Sequence, residues 1–576
     1  MTNAEIAAAL DELGILYELD GAVRYRVLAY STAATAIRES PVSVAELAAQ
    51  GRATEVPGVG KTLAEKIDAL LETGEIPAAV KLKAKFPPTL IEVTRVPGVG
   101  PKTARRLFEE LEIASMEDLK AAAEAEKVRH VKGLGVKAEE NILASLERLG
   151  EPGEGPGRLL LSKVAPIAKE LAAALREHPA ANQVEVAGSV RRWAETCKDI
   201  DLIATAEEPA ALAEHLAGHP LIAAAGTPGV NGVRAQTHNG VSVDLRIVPP
   251  AEFGNLLQHF TGSKAHNVQL REEAVGRGLS VSEHGITETE SGDVQACATE
   301  AEVYERLGYA YIEPELREGR GELKAAREGK LPQLVEIDDI KGDLHSHTTL
   351  SDGRNSVAEM AEAARGRGYE YLAITDHSAS HGFGDHVTAE RLWERIEEVR
   401  AWNEGYGKKD FRLLVGSEIN IGLDGSLDYP DDLVAALDWV VASVHTAFSV
   451  SEQQMTERVL TAIENPDVDC IGHLTGRLIG RREPYGIDVE AVAEAAARTG
   501  TMIEINGNPN RRDLSDRHAR LAADAGVKIV LNTDAHGVDT LDNMAYAIAT
   551  ARRAWLTPDD VANTRSWTAL KKLMKG

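Results

Sequence analysis

Cysteine is scarce in this chain: Cys197, Cys297 and Cys470 are the only three among 576 residues, far apart and with no CxxC pair. A disulfide framework and a thiolate zinc cluster are therefore excluded, and any bound metal must be held by histidine and carboxylate. No run approaches the ~18 consecutive apolar residues of a membrane span. The N-terminus, MTNAEIAAALDELG, alternates apolar with acidic residues where a secretory signal would be basic and then apolar. A cytoplasmic protein without a membrane partner is expected. Positive charge is also in deficit. The 63 Lys and Arg against 90 Asp and Glu give a net charge of −27, which alone argues against a nucleic-acid partner.

What is present is the composition of a soluble globular protein, 43% hydrophobic and 27% charged. At roughly 100–200 residues per domain, the length suggests three to five domains. Residues 1–150 read as short amphipathic helices with Gly-containing turns, followed by a Pro/Gly linker, EPGEGPG, at 151–157. Residues 158–315 alternate helices with strands such as 184–187 and 241–248. The highly charged stretch 316–340 reads as a surface tether, part of it helical. From 341 to 576, short Val/Ile/Leu runs alternate with helical stretches, the pattern of a parallel sheet or barrel of βα units.

The acidic total hides a local exception. Residues 56–106 carry nine Lys/Arg against five Asp/Glu, which charge alone would assign to a solvated helix face. The same region contains a repeat: Val56-Pro57-Gly58-Val59-Gly60-Lys61-Thr62 recurs as Val96-Pro97-Gly98-Val99-Gly100-Pro101-Lys102-Thr103, with Gly133-Leu134-Gly135-Val136-Lys137 as a degenerate third copy. Each is a GxG turn opening a helix. Gly58, Gly60, Gly98 and Gly100 let backbone N–H groups approach a DNA phosphate closely, and the helix N-terminus behind them favours an anion. This resembles the helix-hairpin-helix motif, which grips duplex backbone without sequence preference.

A second constellation runs Gly188-Ser189-Val190-Arg191-Arg192, then Lys198-Asp199-Ile200-Asp201, then Val243-Asp244-Leu245. With a strand period of two, Asp199 and Asp201 share a face, and Asp244 on a neighbouring strand completes a carboxylate cluster. Three like charges repel unless cations sit among them. Hard oxygen ligands suit Mg²⁺ or Mn²⁺ bridging a triphosphate for in-line phosphoryl transfer, with Gly188 and Ser189 as phosphate donors and Arg192 supplying charge. The pattern is that of a nucleotidyltransferase palm.

Together these residues make residues 1 to about 315 resemble a family X DNA polymerase, the short gap-filling repair class. The resemblance implies that Asp199, Asp201 and Asp244 hold two metals, one activating the primer 3′-hydroxyl and one escorting the incoming dNTP. His259-Phe260-Thr261-Gly262-Ser263-Lys264 resembles the thumb motif that packs on the incoming sugar and base, with His259 where many members have Tyr. Asn267 and Arg271 match minor-groove contacts to the nascent pair. Lys66 matches the lysine that forms a Schiff base with an abasic sugar in lyase-competent members. Tyr25-Arg26 stands where those lyases carry His and Lys for the 5′-phosphate, so Arg26 is the candidate phosphate ligand in an altered pocket, and a solvated Lys66 remains the alternative.

The C-terminal section carries the densest chemistry. His345-Ser346-His347 precedes Ser351-Asp352-Gly353; then come Thr375-Asp376-His377, Glu418, His445, His473, Glu504-Ile505-Asn506 and Asp534-Ala535-His536. Nearly every one ends a short apolar run, and strand C-terminal ends are where a β/α barrel assembles its active site. Mixed His/carboxylate ligands suit Zn²⁺ or Mn²⁺, which activate water toward phosphoesters. These residues resemble the PHP (polymerase and histidinol phosphatase) domain, a distorted seven-stranded barrel with up to three metals that hydrolyses phosphoesters. By that resemblance His345, His347, Glu418 and Asp534 form one site, His445 and His473 with a shared Glu418 a second, and Asp352, His377 and His536 a third. Asp376 would act behind the ligands, and Arg477 and Arg482 would hold phosphates or be surface groups.

The fold class expected is multidomain α and α/β. The expected divisions are a helical lyase-like domain over 1–85, fingers with the second helix-hairpin-helix over 86–157, an α+β palm over 158–250, a thumb over 251–315, a linker over 316–340 and a PHP barrel over 341–576. The expected substrates are gapped or nicked duplex DNA and dNTPs, in a cytoplasmic protein associated with the nucleoid. The expected activities are gap-filling polymerisation and a metal-dependent 3′→5′ exonuclease or 3′-end phosphoesterase. A small-phosphoester hydrolase, or a DNA-end-binding protein, carrying a silent polymerase module is the alternative.

Overall fold

The computed structural model describes residues 1–148, 157–380, 387–407 and 410–575. The expected linker 151–157 therefore lies, except for Gly157, outside the described residues. The chain divides into two compact units: 1–159, 163–186 and 198–249 form the first, and 160–162, 187–197 and 250–576 the second.

The first unit begins with short helices around one core. Asn3–Leu19 is opened by a capping box between Thr2 and Glu5 and buries Ile6, Leu10, Leu13 and Leu16 completely. The three repeats fold alike. Val59 N–H donates to Val56 O, Val99 N–H to Val96 O and Leu134 N–H to Val131 O, at 3.0, 2.8 and 2.9 Å. Gly58, Gly98 and Gly133 occupy the third turn position with φ of +79°, +89° and +86°, the signature of a type II turn. Val56, Val59, Val96, Val99 and Val131 are buried, so the valines anchor each turn while the helices Lys61–Thr73, Pro101–Leu111 and Val136–Arg148 leave from it.

Gly60 and Gly100 differ from the turn glycines. They are N-caps with φ of −82° and −71°, and a Cβ at either would meet nothing within 4 Å. Gly60→Leu with Gly100→Leu should therefore leave the melting temperature unchanged yet weaken binding to every duplex sequence. The expected loss is roughly tenfold or more, since a hydrogen bond to a charged group is worth about 1.5–3 kcal/mol. Fluorescence anisotropy with gapped duplexes of two unrelated sequences checks this, and unchanged affinity for both would remove the phosphate-gripping role.

The rest of the first unit is built on a five-stranded sheet with most of the helix Leu161–Glu177 and the helix Pro209–Ala217. In sheet order its strands are Ala181–Val186, Asp199–Ala206, Ser242–Ile247, Gly232–Thr237 and Ile222–Ala225, with only the Asp199–Ala206/Ser242–Ile247 pair parallel. Buried Ile200, Leu202, Val243 and Leu245 alternate with half-buried Asp199, Asp201 and Asp244, which puts the carboxylates on the opposite face from the core.

The second unit contains the helices Phe253–Thr261 and Lys264–Val275, a small antiparallel sheet and a seven-stranded parallel sheet. The seven strands follow chain order: Gly342–Asp343, Tyr371–Ile374, Arg412–Asn420, Trp439–Ser443, Cys470–Ile471, Met502–Asn506 and Ile529–Asn532. A parallel bridge from Ser346 to Ala535 joins the segments beyond the first and last strands, so the sheet nearly closes into a barrel.

The stretch 316–340 is not a surface tether. It holds the helix Glu322–Glu328, and Arg317, Glu322, Leu323, Leu334 and Val335 are buried. Its charges are matched rather than solvated: Arg317 pairs with Glu300 at 2.5 Å and Glu322 with His266 at 2.7 Å, and both carboxyls are held below their usual range despite burial. Composition registered the charges but not their partners.

Candidate functional sites

Every barrel residue expected to bind metal lies at or just beyond a strand's C-terminal end. His345 and His347 follow Gly342–Asp343, His377 follows Tyr371–Ile374, and Glu418 ends Arg412–Asn420. His445, His473, and Asp534 with His536 follow three further strands. Asp352 arrives on the turn after His347. Gly353 permits that approach, because a Cβ there would lie 2.6 Å from the His347 carbonyl. Asp376 fixes the same turn by accepting from Thr348 N, Thr348 Oγ1 and Ser351 Oγ at 2.7, 2.7 and 2.8 Å.

Among the described residues the candidate ligand atoms gather into three groups, each within 4.8 Å: His345, His347 and Asp534; His377, Glu418 and His445; and His347, Asp352, His377 and His536. His347 and His377 thus each serve two groups, where the sequence had assigned each to one. His347 and His536 stack with ring centroids 4.2 Å apart, which brings the first and third groups together. Glu418 lies at the centre, with ring nitrogens of His377, His473 and His445 at 2.8, 2.9 and 3.1 Å from its oxygens. His473 and Asp534 take positive φ values of +25° and +54°, unusual backbone states for residues with side chains.

The electrostatics fit cations. Glu418 is 1% exposed, and its only close polar neighbours among the described residues are ring nitrogens of histidines, groups that can hold a cation against it. Burial alone would raise its carboxyl, but His445, His377 and His345 hold it well below the usual range. Burial, then neighbouring His536 and His377, takes His347 down to about 4, and burial does the same to His445. Both are thereby neutral imidazoles, the form that ligates metal. His345, His377 and His536 move the other way: burial would lower each, but Glu504, Glu418 and Asp534 raise His345 well above its ordinary value, Glu418 raises His377, and Asp352 with Asp534 takes His536 up to about 9.

Glu504 joins the cluster although no role is assigned to it by sequence alone. Its Oε1 sits 2.6 Å from His345 Nδ1, and its Oε2 accepts from His473 N at 2.7 Å. That bond turns His345 Nε2, which has no hydrogen-bond partner, toward the cluster. The signal was present as a carboxylate at the end of an apolar run. Glu504→Gln should weaken metal binding by roughly 10–100-fold. Titration of the apoprotein with Mn²⁺ or Zn²⁺ checks this, and unaltered affinity would make Glu504 structural only. Arg511, with Nε 3.8 Å from Asp534, was also missed. Arg477 pairs with Glu195 at 2.5 Å, and Arg482 lies 4.4 Å over the Phe448 ring while donating to Gly476 O.

In the five-stranded sheet, Asp201 and Asp244 are register partners on adjoining parallel strands, and Asp199 faces the same way. The three do not gather to within 4.8 Å as a trio; Asp244 is engaged by Arg246 at 3.1 Å and Arg234 at 3.6 Å. In the second unit, Gly188 has φ +64° and Ser189 is half-buried. Arg192 pairs with Glu318 at 3.1 Å and donates to Thr261 O. Gly262 has φ +66°, and a Cβ there would lie 3.2 Å from Arg192 Nη1. His259, Asn267 and Arg271 form one cluster beside Phe260: Asn267 Nδ2 donates to His259 O at 2.7 Å, Arg271 Nη2 lies 2.9 Å from His259 Nδ1, and the His259 and Phe260 rings are 5.4 Å apart. At the N-terminus Lys66 is half-buried on Lys61–Thr73, Arg26 stacks 3.8 Å over Tyr17, and Tyr25 is 85% exposed.

Repeated glycine turns opening helices, a sheet with paired carboxylates and a barrel of clustered His/carboxylate side chains are the parts of a nucleic-acid enzyme with a phosphoesterase module. Family models agree: helix-hairpin-helix domain over 1–76, SAM-like helix-hairpin-helix tandem over 90–148, DNA polymerase beta thumb over 256–318 and PHP domain over 343–508. The chain is 37% identical over 578 aligned residues, the full length of both proteins, to the DNA polymerase/3′-5′ exonuclease PolX of Bacillus subtilis (strain 168). It is 33% identical over 238 residues to a probable phosphatase of Thermoanaerobacter sp. (strain X514), covering 38% of this chain and 89% of that one. With rat DNA polymerase lambda it shares 25% over 348 residues, 55% of this chain and 56% of the other. The chain belongs to the family X DNA polymerases that carry N-terminal helix-hairpin-helix modules and a C-terminal PHP domain. No helix among the described residues is long and apolar enough to cross a membrane.

Proposed function

We propose that this chain fills short gaps in duplex DNA from dNTPs at Asp199, Asp201 and Asp244, and cleaves phosphodiesters at DNA 3′ ends in the barrel. The observation that carries the reading is the set of three ligand groups sharing His347 and His377 around a buried Glu418 ringed by histidines. Mg²⁺ or Mn²⁺ at the palm and Zn²⁺ or Mn²⁺ in the barrel would supply Lewis acidity toward phosphoryl oxygens when bound. Everything else is work for the chain's own groups. Glu504 orients His345, Asp376 holds the turn that delivers Asp352, and Arg511 offers a guanidinium beside Asp534 for a phosphate oxygen. At the palm, the parallel pairing of two strands fixes Asp201 opposite Asp244. His259, Asn267 and Arg271 present one polar surface to the nascent base pair.

The division of labour follows the sequence boundaries 1–85, 86–157, 158–250, 251–315 and 341–576, with 316–340 acting as packed structure between thumb and barrel sequences. A partner of this kind is chromosomal DNA, so the protein would act at the nucleoid. Primer extension on a one-nucleotide-gapped duplex, and release of nucleotides from its 3′ end without dNTPs, test both halves. Hydrolysis of a small phosphoester with neither DNA reaction would favour the hydrolase alternative.

A further inference from the structure

The segment 187–197, which carries Gly188, Ser189 and Arg192, packs with the barrel residues in the second unit. Three arginines from the barrel sequence hold its end. Arg553 Nη1 donates to Arg192 O at 2.9 Å and to Glu318 Oε1 at 2.8 Å, while Arg192 Nε donates to the same Glu318 oxygen at 3.1 Å. Arg512 Nη1 donates to Trp193 O at 2.9 Å and its Nε to Thr550 Oγ1 at 2.8 Å. Arg477 reaches the two Glu195 oxygens at 2.5 and 3.2 Å and also donates to Arg512 O.

The grip is on a strained backbone. Trp193 has φ +52°, a region that residues with a side chain rarely adopt, so its neighbours must impose it. Arg512 holds its carbonyl, and Tyr546 meets its indole edge-on with ring centroids 5.8 Å apart. Arg512 and Arg553 are only 1% and 8% exposed, so their charges are desolvated and dependent on these partners. The barrel's ligand groups do not use them.

We infer that Arg477, Arg512 and Arg553 are positioning residues for nucleotidyl transfer, holding the Gly188–Ser189 turn in the conformation that receives the dNTP triphosphate. The inference rests on the reading of that turn as the triphosphate loop. The phosphoesterase sequence thus contributes to the polymerase reaction without touching its substrate. Rigid placement of the turn is what matters, because a displacement of ~1 Å far from the chemistry can cost up to ~100-fold.

The test is steady-state gap filling by the full chain carrying Arg512→Ala. KM for the dNTP should rise by about tenfold or more with kcat changed less, the mark of lost ground-state binding. Affinity for gapped duplex and hydrolysis of DNA 3′ ends should stay within about twofold of wild type. Arg512→Lys, which keeps one positive donor but not the two-pronged bond to Trp193 O and Thr550 Oγ1, should recover part of the KM. Should Arg512→Ala fail to fold, Glu195→Gln decides instead, because it loosens the Arg477 pair while leaving all three arginines in place, and it must show the same shift in KM. An unchanged KM, or equal losses of extension, DNA binding and hydrolysis together with a lowered melting temperature, overturns the inference. Wild-type protein that fails to extend a primer at all refutes the palm reading instead, so the two failures are distinct.

Discussion

Glu418→Gln is expected to abolish phosphodiester hydrolysis and most metal binding while leaving the barrel folded. Glutamine keeps the shape of the side chain and removes only its charge. That charge is approached by His345, His377, His445 and His473, so its loss strikes more than one ligand group. Lewis-acid stabilisation of a phosphoryl transition state is worth several kcal/mol, which translates to a loss of about 10³-fold or more. Stability should fall with activity. In the apoprotein the neighbouring histidines hold Glu418 ionised, and removing one partner of a buried charge pair is destabilising, so the metal-free variant should melt at a lower temperature than the metal-free wild type. In the wild type, added Mn²⁺ should raise the melting temperature by linkage, and in the variant that increment should vanish. Wild-type metal content and hydrolysis in folded Glu418→Gln protein would show that the catalytic centre lies elsewhere.

The sequence carried the features encoded locally. The VPGVG turns were legible because a type II turn needs glycine at its third position, and valine on either side marks the buried anchors. The barrel ligands were legible because each closes an apolar run, and strand ends converge in a parallel barrel. What escaped depends on distance in space. That His347 and His377 each serve two groups follows from ring positions across strands, which spacing along the chain does not encode. Arg477 was a candidate for phosphate and instead meets Glu195, 282 residues earlier in the chain. The charged stretch 316–340 read as solvated because Glu322 and Arg317 find His266 and Glu300 only in the folded chain. In the palm, the period of two put Asp199 and Asp201 on one face, and pairing with Asp244 needed the register of a parallel neighbour. The arginines that engage Asp244 come from its own strand and the adjacent one, and the carboxylate motif alone did not announce them.

Those arginines sharpen what Asp244→Asn should do. Asp244 lies between Arg246 at 3.1 Å and Arg234 at 3.6 Å and opposite Asp201, on a strand whose Val243 and Leu245 are buried. The backbone is therefore fixed by the core, and the substitution changes charge at a half-buried position with little effect on folding. Two consequences follow for the reaction. One of three carboxylates is lost from the proposed palm site, and Arg234 and Arg246 lose the anion that balanced them, leaving excess positive charge where Mg²⁺ or Mn²⁺ would have to enter. Both changes act against metal, so extension of a gapped primer should fall by about 10³-fold or more, and raising the Mg²⁺ concentration should restore only a small part of it. Affinity for gapped duplex should be unchanged or slightly tighter, because the variant is less acidic. Hydrolysis of 3′ ends should persist, since the barrel ligands are drawn from other residues. Single-nucleotide gap filling, anisotropy and 3′-end release on one preparation separate these effects. If hydrolysis fell in step with extension while DNA binding and melting stayed normal, the two chemistries would share one centre and the assignment of cleavage to the barrel would have to be abandoned.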